Sequence, residues 1–241
     1  MKWRSSLSRK RPQRRRRGRS KPPGAPRPDR RKPVPQRSPL LRHALALCAA
    51  LFAADLAAPF VLGAFYPGYS QLHDTLSTLG HRQSPVSAIT AAWLIAFGFG
   101  LGVAAILCWR RSSPGWRHSA FFSGLLAFAL GAGVVSGLFP EDLPSEAETL
   151  HGKLHGIGAG LGSIGLLIGL LCGAPLARRV ALGLTWLSCA GFAAFLASKA
   201  PESYAGLWQK LFLAPAYLSA LLILGTRGDQ ESRTDRDSRS R

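Results

Sequence analysis

The sequence predicts an all-α, polytopic bundle of six transmembrane helices with a disordered basic N-terminal arm, and three observations carry that expectation. The apolar residues, 47% of 241, are gathered into long blocks instead of being spread as in a water-soluble core. Six blocks reach or approach the ~20 residues a bilayer span needs, at about 43–65, 87–109, 119–139, 154–174, 180–198 and 208–225. The basic residues are segregated. Of 31 Lys and Arg, 27 fall in segments 1–42, 110–117, 178–179 and 227–241, which six spans place on one face; only Arg82, Lys153, Lys199 and Lys210 lie at or near the other. By the positive-inside rule both termini are expected to be cytoplasmic, in a bacterial inner membrane. The opposite face then carries Asp74, Glu141, Asp142, Glu146, Glu148 and Glu202, half of the 12 acids.

Residues 1–38 are rich in Arg and Pro and nearly free of large apolar groups, too few to offset the entropy of ordering the chain. They are expected to form a disordered cytoplasmic arm, with a matching tail at 226–241 and the membrane domain between, at 39–225. The arm's expected partners are anionic headgroups, at ~1 kcal/mol per basic residue held at the surface. Nucleic acid is not the expected partner, because only Trp3 offers a stacking aromatic. The first apolar block exceeds the ~7–15 residues of a signal-peptide core and follows a very long basic segment, so it is expected to be a retained helix. Near its middle sits Asp55, which at that depth must face the bundle or a wet cavity. A neighbour such as Ser136 or Ser163 could hydrogen-bond it, or it could serve as a proton or ion site.

The first outer loop reads YPGYSQLHDTLSTLGHRQSP from Tyr66 to Pro85. If helical, it lines Ser70, Asp74, Ser77 and His81 along one face and Leu72, Leu76 and Leu79 along another, the pattern of a helix resting at headgroup level. His73 lies in the same loop. In the second outer loop, Ser145 followed by Glu148 has the form of a capping box, so the fourth helix is expected to start at Ser145. Glu148, His151 and His155 would then stack on one face, a spacing at which two His can reach one zinc ion with a carboxylate as third ligand or base. The bland alternative is interfacial hydrogen bonding. A short echo links the two loops: Asp74-Thr75-Leu76 precedes His81 as Glu148-Thr149-Leu150 precedes His155, with equal spacing.

Two further features read as packing. Glycines recur at four-residue spacing in the fourth block, at Gly152, Gly156 and Gly160, at Gly158 and Gly162, and at Gly165 and Gly169, which lets another backbone approach closely. Cys48, Cys108, Cys172 and Cys189 map to helix ends on the basic face or to helix interiors, which gives no disulfide framework.

DTLSTLG at Asp74–Gly80, FPED at Phe139–Asp142 and HGKLH at His151–His155, in that order over a six-span layout, resemble the bacterial domain of unknown function 998 family across residues 42–225. The Arg-rich arm departs from that pattern. The outer residues also resemble, more distantly, the alkaline ceramidase and adiponectin-receptor superfamily, seven-helix proteins in which a Ser, an Asp and three His hold a zinc that activates water against a lipid amide. That resemblance would cast Ser77, Asp142, His151 and His155 in the site, with His73 or His81 as third His. The span count and the placement of the paired His differ from that superfamily.

Three functional classes follow. The expected one is an integral membrane protein with a polar extracytoplasmic pocket, built from Asp74, Ser77, His73, His81, Asp142, Glu148, His151 and His155, that binds a membrane lipid or partner. The second is a zinc-dependent lipid hydrolase with Ser77, Asp142 and Glu148 as catalytic groups and His151 and His155 as ligands. The third is a small transporter using Asp55, disfavoured because no broken pair of helices recurs in the two halves.

Overall fold

The computed structural model describes residues 39–112, 114–143, 147–198 and 203–238, with side chains as far as Thr226. The arm expected at 1–38 and Ser145 of the expected capping box lie outside the described residues. Among the described residues there are eight α-helices: α1 Pro39–Gly63, α2 Leu76–Leu79, α3 Ser87–Trp109, α4 Trp116–Phe128, α5 Ser136–Leu138, α6 Leu150–Gly173, α7 Arg179–Ala197 and α8 Ala205–Ser238. Six helical segments are long and apolar enough to cross a membrane, α4 and α5 counting as one span joined through a π-helical stretch at Ala129–Val135. The protein is a polytopic six-span bundle. Its outer surface carries Phe60, Ile89, Phe99, Ile157, Leu161, Val180 and Trp186, each exposed, as suits helices whose outer solvent is lipid. Beyond the last span α8 stays helical to Ser238, across most of the tail expected to be disordered.

Small residues set the closest approaches. A Cβ on Gly124 would fall on the Gly165 carbonyl and 2.8 Å from Gly169 Cα; one on Gly131 would fall on the Gly158 carbonyl and 3.1 Å from Gly162 Cα. The third and fourth spans therefore pack backbone to backbone, the use expected of one glycine stripe. The other stripe differs: a Cβ on Gly156 or Gly160 would meet nothing within 4 Å. Within the third span the π-helical stretch is stabilised by Ser136, whose hydroxyl donates to the Gly131 carbonyl at 3.1 Å. Spans five and six are joined by polar contacts inside the apolar layer. Thr185 Oγ1 and Ser219 Oγ lie 2.9 Å apart, and Ser219 donates to the Ala181 carbonyl at 3.0 Å.

At mid-bundle Phe52 stacks on Tyr217 at 4.3 Å, and Phe97 meets Phe128 edge-on at 6.1 Å. Asp55 sits against this cluster, 4% exposed, accepting from Trp93 Nε1 at 3.1 Å and Tyr217 Oη at 2.7 Å. The expectation of a hydrogen-bonded Asp55 holds, but Ser136 and Ser163 are not the donors. Both oxygens take aromatic donors from α3 and α8, so the buried carboxyl has a partner on each side.

Candidate functional site

Residues 64–86, 139–143, 147–149, 198, 203 and 204 meet at one end of the bundle, and the first of these segments folds over it as a cap. Its expected helix over Ser70–His81 does not form; only α2 is helical there. The reason lies in where the backbone groups go. The Asp74 carboxylate turns back to accept the Ser70 N–H at 2.7 Å, while the Leu72 and His73 carbonyls leave the loop to accept from Leu207 N at 2.9 Å and Gly206 N at 3.2 Å. Those N–H groups are the unpaired donors at the start of α8, so loop one caps the sixth span. Gly206 is required at this crossing, since a Cβ there would collide with the Asp74 carbonyl. Gln209 completes the junction, its Oε1 accepting the Leu76 N–H at 2.8 Å.

The second correction concerns the fourth span. α6 starts at Leu150, not at Ser145, and Thr149 is its N-cap, accepting from Gly152 N at 3.2 Å. Asp142 holds that cap from outside: its carboxylate accepts from Thr149 N at 2.6 Å and Thr149 Oγ1 at 2.9 Å. The Thr149 N–H bond keeps the Asp142 carboxyl below the usual carboxylate range. With the helix starting later, Glu148 is not on it. Glu148 is exposed and pairs with Lys153 at 3.5 Å, and His151 is also exposed, its ring 5.7 Å from that of Phe139. The expected wall of Glu148, His151 and His155 is therefore not assembled.

His155, one turn further along, is buried and lies against loop one. Its Nδ1 is 2.8 Å from the Phe139 carbonyl and its Nε2 3.1 Å from Ser77 Oγ. A carbonyl can only accept, so Nδ1 carries the proton and Nε2 is the lone-pair nitrogen facing the Ser77 hydroxyl. Ser77 is held there by α2, whose N-cap Thr75 accepts from Thr78 N at 3.2 Å. The echo between the loops thus has a structural counterpart: Thr75 and Thr149 each cap a helix beginning at the next residue, and His81 and His155, six residues after each cap, are both buried.

Ser77 and His155 face a cavity of about 340 Å³ between α3, the third span, α6, α7 and α8. Thr75, Ser77, Glu141, His155 and Gln209 line it toward the cap, with Phe192 and Phe195 beside them near the end of α7; Phe97, Phe128 and Phe212 line its deeper part together with Ser163. Asp55 also borders it, eight residues before the end of α1 and so about 12 Å below the cap. The open glycine stripe supplies part of the wall through Gly156 and Gly160. Gly156 on α6 and Leu196 on α7 line the cavity and are exposed, so it reaches the outer surface between these helices.

Glu141 and Gln209 are the site residues sequence reasoning passed over. Burial pushes the Glu141 carboxyl above its ordinary range; His155, His81 and a hydrogen bond from Thr75 act in the opposite direction. The only signal for Glu141 was its place in FPED, where Asp142 drew attention instead. The remaining candidates lie outside the cavity. His73 is exposed, donates through Nδ1 to the Ser203 carbonyl at 3.1 Å and stacks on Tyr204 at 5.0 Å, so it ties loop one to the third outer connection. Asp74 serves its own loop. His81 is buried, accepting from Gln83 N at 3.2 Å through Nδ1.

The donor set does not fit the zinc site that the more distant resemblance implies. Both ring nitrogens of His155 are engaged, His151 points elsewhere, and among the described residues no three His, Cys, Asp or Glu side chains are grouped to hold a metal ion. Compared with known proteins, residues 45–226 match the model of a family described as protein of unknown function (DUF998). No curated protein and no solved structure matches the chain.

Proposed function

The chain belongs to the DUF998 family, and from that premise we propose that it binds an amphiphile, a membrane lipid with a polar head and an apolar chain, in the capped cavity. The observation that carries this reading is the division of the cavity into two ends. Hydroxyl, amide, imidazole and carboxyl groups lie under the cap, and the rings of Phe97, Phe128 and Phe212 lie deeper, ten, ten and seven residues along their spans from that end. A volume of about 340 Å³ falls within the ~300–1,000 Å³ typical of ligand pockets. The opening beside Gly156 and Leu196 faces the apolar layer, so a lipid could enter sideways without its chain crossing water.

The 27 basic residues on the other face support an extracytoplasmic cap in an inner membrane, with both termini cytoplasmic. Reporter fusions within 141–143 and after Thr226 should then read outside and inside. For the ligand, native mass spectrometry of the full chain released from nanodiscs should show retained lipid on the wild type and little on Gly160→Leu, whose side chain would enter the cavity. Equal retention by both proteins would contradict the binding reading.

A further inference from the structure

We propose that Ser77 and His155 form a nucleophile and general-base pair that cleaves an ester in the amphiphile held by the cavity, passing its acyl group to water. The inference rests on the binding reading above and adds a chemical step to it. Three observations carry it. The Ser77 hydroxyl lies 3.1 Å from His155 Nε2, within the reach a base needs for the proton it removes. The Phe139 carbonyl, 2.8 Å from Nδ1, fixes the ring in the one tautomer that leaves Nε2 able to accept. In serine hydrolases of unrelated folds a third group orients the base in this way, and here a backbone carbonyl takes that part. Ser77 and His155 both line a cavity with room for a substrate, so the pair is not merely a sealed packing contact.

The two halves of the pair come from elements fixed independently. Ser77 lies in α2, capped by Thr75 and tied to α8 through Leu76 and Gln209; His155 lies in α6, capped by Thr149 and Asp142. The third member, Phe139, sits at the end of the third span, followed by Pro140, which narrows the chain's freedom where the carbonyl must be aimed. Three elements far apart in sequence thus converge on one imidazole.

In the step, Ser77 Oγ attacks the ester carbonyl carbon as its proton passes to His155 Nε2. The carbon–oxygen bond to the leaving alcohol then breaks, and the alcohol takes the proton back from Nε2. Water attacks the acyl-serine with His155 again accepting a proton, the fatty acid leaves, and Ser77 recovers its hydrogen. The Glu141 carboxyl lines the same cavity and interacts electrostatically with His155, where the imidazolium forms in each half-reaction. Gln209 Oε1 is held by the Leu76 N–H, so its NH₂ is the amide group left to donate to an oxyanion in the same cavity.

The test uses the full chain in phospholipid nanodiscs and a hexadecyl fluorophosphonate, which reacts with activated serines. Peptide mass spectrometry should place the adduct on Ser77, with none on Ser77→Ala. His155→Gln should slow labelling by about 100-fold or more, the usual weight of a general base. Because His155 is buried, Ser77→Cys provides a second reading that leaves the imidazole in place: its introduced thiol should react with iodoacetamide faster than the same thiol in a Ser77→Cys, His155→Gln protein. Lipid retention is measured in parallel by native mass spectrometry. Retained lipid with no adduct on Ser77 would overturn the acyl-transfer step and leave the binding reading standing, whereas loss of both would remove the two together. Labelling of Ser77 at the same rate with and without the imidazole would also overturn the pair.

Discussion

Gly160 and Gly162 stand two positions apart in α6 and should respond in opposite ways to one added methyl group. In a helix interior, Gly→Ala is worth about 0.8–1.0 kcal/mol through backbone propensity alone. At Gly160 a Cβ meets nothing within 4 Å, so Gly160→Ala should keep that gain. At Gly162 a Cβ would lie 2.8 Å from Ala132 N, 3.2 Å from Ala127 O and 3.3 Å from Gly131 Cα. These are backbone atoms of the third span and cannot rotate aside, so overpacking of about 1–3 kcal/mol applies. Both variants share the propensity gain, and the overpacking cost alone separates them. At about 2–4 °C per kcal/mol for a chain of this size, Gly162→Ala should melt roughly 2–12 °C below Gly160→Ala. Tryptophan-fluorescence melts of the two detergent-solubilised variants measure this directly. Coincident melts, or a Gly160→Ala protein below wild type, would refute the division of the glycines into a packed stripe and an open one.

Other consequences are equally specific. Tyr217→Phe strips one of the two donors from the buried Asp55 carboxyl and should cost about 1–3 kcal/mol in a thermal melt, with Trp93 left as partner. Gly206→Ala places a Cβ against the Asp74 backbone, 2.9 Å from its carbonyl carbon, and should both lower the melting temperature and reduce lipid retention, since the cap it displaces carries Ser77. Glu141 has a folded-state pKa above its unfolded value, so its contribution to stability is present below the unfolded pKa and is lost as pH rises through the folded one. Glu141→Gln mimics the protonated form and should therefore melt higher than wild type above the folded pKa, with the difference shrinking as pH falls through that raised pKa and gone below the ordinary carboxylate range.

Much of the fold was legible because lipid imposes a coarse code. Apolar blocks gave all six spans within a few residues, α3 matching at both ends, since each span must close its backbone hydrogen bonds internally. Ser77 and His155 were both visible as candidates. Their actual relation was not, because the group that orients His155 is the Phe139 carbonyl, and a backbone acceptor leaves no residue signature. The Ser145 and Glu148 spacing imitated a capping box while the neighbouring Thr149 formed the cap, supported by Asp142 seven residues earlier. Loop one misled for a related reason: its helical pattern lost to the unpaired N–H groups of α8, competitors 133 and 135 residues away that no local pattern contains. The donors to Asp55 were likewise long-range, Trp93 and Tyr217 rather than the serines suggested by proximity in membrane depth.

The central claim is that an amphiphile occupies the capped cavity with its head under loop one and its chain among the phenyl rings. Photocrosslinking with a phospholipid bearing a diazirine midway along one acyl chain, followed by peptide mapping, tests it most directly. The account predicts adducts on α3, the third span and α8 at Phe97, Phe128, Phe212 or Leu213, suppressed in Gly160→Leu. Adducts confined to outward-facing residues such as Ile157, Leu161 and Trp186, unchanged by that substitution, would show only bulk lipid around the bundle and would contradict it.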